Sequence, residues 1–264
     1  MTNGKADLLI FAGQSNMQGS TGEKCNEPPL ENCVEYRFLT DTLVPLASPV
    51  GEDIGDGLLA MSALGNGSLV PYFCREYCSG GTRVVAVHVA KGNTRISEWE
   101  EGTERFAALK EKVVAAADKI GRENIRNAFV IWLQGESDAI VGLSESEYLG
   151  ALVKLKNIVK KLIRIRKFAL ISPGYFACHA SWADKPYAEK RAADERIMSA
   201  YRRAGEIDDD FIYLTDECVR LSENPKYLNP KEFGPHYNNA GMEIIGTAAA
   251  KALKRYVLSE TEEK

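Results

Sequence analysis

The chain has 264 residues, 45% of them hydrophobic and 27% charged, with a formal net charge of −4. That length buries a substantial core and suits one α/β domain running from 1 to 264. The mildly acidic balance offers no basic stripe, which argues against nucleic acid as a partner. No apolar run reaches the roughly 18 residues of a membrane span.

Near the start, Leu8 to Ala12 is a short apolar run closed by Gly13. It is too short for the apolar region of a signal peptide, so a cytoplasmic chain, or the processed form of a secreted one, is expected. It reads instead as a strand buried on both faces. Parallel sheets bind ligands just beyond the carboxyl ends of such strands, a place held here by Gln14-Ser15-Asn16-Met17. Gly13 permits a tight turn, and Ser15 and Asn16 suit the first turn of a helix. Ser15 there is either a helix cap or a nucleophile whose own amide helps hold an oxyanion. The turn is not the Gly-x-Ser-x-Gly elbow, since Met17 stands where the second glycine would be.

Residues 20–32 read as a loop and Val34 to Leu39 as a short strand. The stretch 41–67, rich in glycine and proline, is expected to wall a substrate cleft. Leu69 to Tyr77 reads as a helix and Arg83 to Ala90 as a strand, with Lys91-Gly92-Asn93-Thr94 after it. Phe106 to Ile120 has helical spacing. Ala128 to Leu133 is a strand ending in Gln134-Gly135-Glu136-Ser137-Asp138. Leu149 to Ile163 is an amphipathic helix capped upstream by Ser144 and Ser146. Phe168 to Ser172 and Phe211 to Thr215 are further strands, with helices over Tyr187 to Ala204 and Ala240 to Leu258. Strands alternating with helices predict a mostly parallel sheet of about five strands, covered on both faces.

The six cysteines are scattered and have no zinc spacing with histidine, so no metal is expected. Cys25 and Cys33 flank a loop and would bridge only in an oxidising compartment. His88, mid-strand among valines, reads as a core histidine, and His179, near Trp182, as cleft lining.

Three strands thus end in turns rich in catalytic residue types, and His236 stands before the last helix. These blocks resemble the SGNH (GDSL-like) hydrolase superfamily, and within it the sialate O-acetylesterase and acetylxylan esterase group of carbohydrate esterases. The residues carrying the resemblance are Phe11-Ala-Gly-Gln-Ser-Asn-Met17, Lys91-Gly-Asn-Thr-Arg-Ile-Ser-Glu-Trp99, Trp132-Leu-Gln-Gly-Glu-Ser-Asp138 and His236-Tyr-Asn-Asn-Ala-Gly241.

The resemblance implies a three-layer α/β/α sandwich of flavodoxin-like type. It implies Ser15 as nucleophile, His236 as base, and an oxyanion hole of the Ser15 amide, the Gly92 amide and the Gln134 side chain. Asn93 replaces a second glycine, which leaves open whether its amide or that of Gly92 points at the substrate. Gln14, Asn16, Arg95 and Trp99 would contact the substrate, with Trp99 either core or a face for a sugar. Many superfamily members carry an aspartate three residues before the histidine; Phe233 stands there. The acid is then Glu136, Glu232 or a backbone carbonyl. The implied activity is cofactor-free removal of acetyl groups from a sugar such as acetylated xylan or sialic acid, with a pH profile set by an ordinary histidine. The alternatives are a non-catalytic carbohydrate-binding relative with an impaired triad, or an esterase or thioesterase acting on a non-sugar ester.

Overall fold

The apolar runs form one sheet in the computed structural model, which describes residues 4–25, 27–179, 184–229 and 236–262. Its strands are β1 (Ala6–Gly13), β2 (Cys33–Arg37), β3 (Thr42–Pro45), β4 (Val84–Ala90), β5 (Ile125–Leu133), β6 (Lys167–Ile171) and β7 (Phe211–Thr215), in the spatial order β3-β2-β4-β1-β5-β6-β7. All neighbours run parallel except β2 and β3. The count is therefore seven rather than about five. The strand with no counterpart among those read from the sequence lies at one edge, where Thr42–Pro45 pairs antiparallel with β2 and keeps its side chains exposed or half-buried, so no apolar run announces it.

The helices are α1 (Ser15–Gln18), α2 (Leu69–Cys78), α3 (Glu104–Ile120), α4 (Glu136–Val141), α5 (Glu145–Leu162), α6 (Tyr187–Ile207), α7 (Glu217–Leu221) and α8 (Asn239–Glu262). Alternation along β1 divides the core in two. Leu8, Ile10 and Ala12 pack with Leu109 and Val113 of α3, Leu152 of α5 and Ile197 of α6. Leu9 and Phe11 face the opposite layer, with Phe73 of α2 and Ile245 and Leu253 of α8. Each fully buried large side chain contributes roughly 1.5–3 kcal/mol to folding. The result is a three-layer sandwich with β1 at its centre.

Local signals fix the helix starts. α5 begins at Glu145 because Ser144 accepts from the Glu147 amide while the Glu147 carboxylate accepts from the Ser144 amide at 3.0 Å. Ser68 caps α2 and Thr103 caps α3 in the same sense. All six cysteines are free; Cys25 lies 3.6 Å from the Tyr72 hydroxyl and Cys33 faces the Cys74 carbonyl, so the two do not bridge. Among the described residues no helix is long and apolar enough to cross a membrane.

Candidate active site

Because β1, β4 and β5 are adjacent and parallel, their carboxyl ends bring Gly13, Ala90 and Leu133 into one row. Gly13 has φ 148°, and a Cβ there would sit 1.9 Å from the Leu133 carbonyl oxygen, so only glycine lets β1 turn off the sheet at this point. Ser15 opens α1 and is 8% exposed. The short helix is tied down behind it, since the Met17 carbonyl accepts from Ser68 Oγ at 3.4 Å and from His88 Nε2 at 3.3 Å. His88 is thus a buried structural histidine, its pKa pushed down to about 3 by burial.

The turn after β4 lies against the serine. Lys91 N donates to the Gly13 carbonyl at 3.0 Å, and a Cβ on Gly92 would be 3.3 Å from Ser15 Cβ. The Gly92 amide donates to Gln18 Oε1 at 2.7 Å, and Gln18 Nε2 donates to the Met61 carbonyl at 2.7 Å. Gln18 therefore links the serine helix to this turn and to the 41–67 segment. Sequence reasoning passed over it, although its place three residues after Ser15 puts it on the same face of a helical turn. Asn93 is exposed in the left-handed region, φ 59°. Neither its amide nor that of Ser15 is taken by another group among the described residues.

Gln134 is completely buried. Its amide nitrogen donates to the Thr94 carbonyl at 2.7 Å, Asp138 Oδ2 at 2.6 Å and Gln14 Oε1 at 3.2 Å, while its oxygen accepts from the Tyr148 hydroxyl at 2.9 Å. The protein thus supplies acceptors for both amide hydrogens. Gln14 Oε1 also receives the Gly135 and Ser137 amides, each at 3.2 Å, capping the start of α4. Asp138 accepts the Ile96 amide at 3.1 Å as well, and burial pushes its pKa up to about 6. Gln14 and Asn16, expected at the substrate, are each 2% exposed and engaged inside the protein. Tyr148, Tyr201 and Thr94, which complete this network, carry no signal in a single sequence because each looks like an ordinary core or turn residue.

Glu136 is buried at the start of α4 and accepts from Asn16 Nδ2 at 3.0 Å, and burial pushes its pKa up to about 7. His236 is brought toward the serine side by backbone ties. Asn229 N donates to the His236 carbonyl at 2.7 Å and Asn229 Nδ2 to the Ser20 carbonyl at 3.0 Å, while Asn239 donates to Glu23 and Lys24. The imidazole stands edge-on to Phe176, with ring centroids 5.2 Å apart, and burial lowers its pKa to about 4 rather than leaving it ordinary. Glu232, Phe233 and Trp182 lie outside the described residues. His179 is exposed and edge-on to Tyr187.

Beside this row is a cavity of about 350 Å³ lined by Asn93, Arg95, Ser137, Ile140 and Val141 among others. Arg95 is exposed there, while Glu98 is paired to Arg105 at 3.2 Å. The 41–67 segment does not line it. Trp99 does not either: its ring is fully buried, edge-on to Trp132, with Nε1 donating to Thr94, so it serves the core and offers a sugar no face. Among the described residues no group of three or more histidine, cysteine or acidic side chains could hold a metal ion.

Residues 5–200 match the family model described as carbohydrate esterase, sialic acid-specific acetylesterase. The chain belongs to that family. No curated protein sequence gives a significant match. Solved structures share the fold. A protein from Arabidopsis thaliana is 16% identical with a TM-score of 0.69, 94% of this chain and 97% of that one being covered. A lipase/acylhydrolase from Enterococcus faecalis is 13% identical with a TM-score of 0.55, covering 95% and 96%. A mutant of Axe2, an acetyl-xylooligosaccharide esterase from Geobacillus, is 13% identical with a TM-score of 0.51, covering 96% of each. This carbohydrate esterase therefore has the SGNH hydrolase fold and is a carboxylic ester hydrolase. The family match stops at residue 200, so the placement of His236 rests on the fold and its ties alone.

Proposed function

We propose that this carbohydrate esterase removes O-acetyl groups from a small sugar or oligosaccharide through an acyl-enzyme on Ser15. The observation that carries the reading is the packing of the Gly92 turn against Ser15 at the carboxyl end of the central strand. His236 takes the Ser15 proton as Oγ attacks the acetyl carbonyl. The oxyanion is held by the Ser15 amide and by the turn at Gly92 and Asn93, where the Asn93 amide has its hydrogen to give. Collapse expels the sugar hydroxyl, protonated by His236, and water then releases acetate by the reverse sequence. The neighbouring cavity, with Arg95 and Asn93 on its polar side, supplies hydrogen-bond donors for sugar hydroxyls.

The test is hydrolysis of 4-nitrophenyl acetate, acetylated xylo-oligosaccharides and O-acetylated sialic acids. Ser15→Ala is expected to lower kcat at least about a thousandfold. Retention of the parent rate would remove Ser15 from the chemistry, and turnover of acyl chains in preference to acetylated sugars would remove the sugar.

A further inference from the structure

Among the described residues, Glu136 and Asn16 each leave one buried oxygen without a partner. Asn16 Nδ2 donates to Glu136 Oε1 at 3.0 Å, yet Asn16 Oδ1 and Glu136 Oε2, on the same two side chains, are both inaccessible and unsatisfied. The residues are 2% and 1% exposed, so bulk solvent does not reach these oxygens. A carboxylate in this position would keep a charged oxygen in a dry site with nothing to donate to it, which is among the costliest arrangements in a protein interior. One proton repairs both defects. A protonated carboxyl has a donor where the carboxylate has none, and the carboxamide opposite has a vacant acceptor.

We propose that Glu136 is held as a neutral carboxylic acid, its Oε2 hydroxyl donating to Asn16 Oδ1, so that the two side chains close an acid–amide ring. Its surroundings agree. The titratable groups acting most strongly on Glu136 among the described residues include Asp138 on its own helix, Asp194 on α6, Tyr201, Cys218 on α7 and Tyr237, whose charged forms are all anionic. Burial is the largest influence on it and acts against the charge. The ring would fix Asn16, the residue after Ser15, to the start of α4, making Glu136 a positioning residue for the serine turn. It also takes Glu136 out of contention as the acid behind His236, because both its oxygens are then engaged with Asn16.

This inference rests on the reading of Ser15 as nucleophile only in what the ring is for; its existence is tested without turnover. With glutamate-selective carboxyl-¹³C labelling of parent and E136Q, a glutamate resonance that E136Q lacks is expected to titrate near neutral pH in the parent; the comparison separates it from Glu35, whose pKa burial also raises. Absence of such a resonance overturns the proposal. Infrared difference spectra of parent against Glu136→Gln should show a protonated carboxyl stretch that the variant lacks.

Glutamine reproduces the ring, with its NH₂ in place of the hydroxyl, so E136Q should keep kcat within about threefold of the parent, whereas Glu136→Leu should lose about tenfold to a hundredfold. An E136Q loss of about ten-thousandfold, the size seen when a triad acid is made an amide, overturns the ring and restores Glu136 as the acid. A protein that shows the titrating glutamate but hydrolyses no ester refutes the function and leaves the ring standing.

Discussion

The pH dependence of turnover offers a direct measure of the histidine's environment. An ordinary histidine titrates at 6.5, but burial beside Phe176 lowers His236 to about 4. That difference is worth about 3 kcal/mol in favour of the neutral ring, the form that can accept the Ser15 proton. At pH 5.5 an ordinary histidine is about 9% neutral, whereas a ring titrating at about 4 is about 97% neutral, a tenfold difference in competent enzyme. The assay is kcat/KM for 4-nitrophenyl acetate, which has no titrating group in this range, from pH 3.5 to 8. The acid limb is expected at about 4, with activity almost flat from pH 5.5 upward. The E136Q background removes any contribution from Glu136. An acid limb at or above 6.5 refutes the desolvation argument. Stability has the same sign. Between about 4 and 6.5 the folded protein binds fewer protons at His236 than the unfolded chain, so this residue's contribution is complete above 6.5 and lost as pH falls through that window.

Three further outcomes test other parts of the site. Gly13→Ala forces a Cβ to 1.9 Å from the Leu133 carbonyl, and thermal or urea denaturation should show a loss of more than about 3 kcal/mol or no soluble protein. Gln18→Ala frees the Gly92 amide and the Met61 carbonyl; hydrogen exchange at Gly92 should quicken and kcat fall about tenfold to a hundredfold. A rise in kcat would instead mean that Gln18 occupies a donor the oxyanion needs. Arg95→Ala should raise KM for acetylated oligosaccharides severalfold with kcat unchanged, and leave 4-nitrophenyl acetate unaffected, because Arg95 lines the cavity and does not touch Ser15.

The strands that could be read from sequence are those buried on both faces, such as Leu8 to Ala12 and Val84 to Ala90, because nothing but a core needs an unbroken apolar run. Thr42–Pro45 was hidden by the opposite circumstance: an edge strand with solvent on its side chains looks like the glycine-rich loop around it. At the site, the spacing of the Ser15, Gly92 and Gln134 turns carried the placement, since each comes directly after a strand of the same parallel sheet. Which side chain meets the substrate could not be read that way. Gln14, Asn16, Gln134 and Trp99 have the polar or aromatic chemistry of substrate ligands, yet the first three are spent on one another and on α4, and Trp99 on Thr94 and Trp132. Only the burial of each tells the scaffold from the surface. The surroundings of Glu136 were illegible for the same reason, because its burial and its Asn16 contact arise from partners far apart in the chain.

The ties made by Asn229 and Asn239 join the last seventh of the chain to the loop just after Ser15, across more than 200 positions. In the mechanism proposed above, nucleophile and base therefore come from opposite ends of the polypeptide. Loss of these three hydrogen bonds would uncouple the two while leaving the strand pairings of the sheet untouched. On warming, esterase activity should then disappear at a lower temperature than the far-ultraviolet dichroism of the sandwich, and return on cooling without refolding of the core.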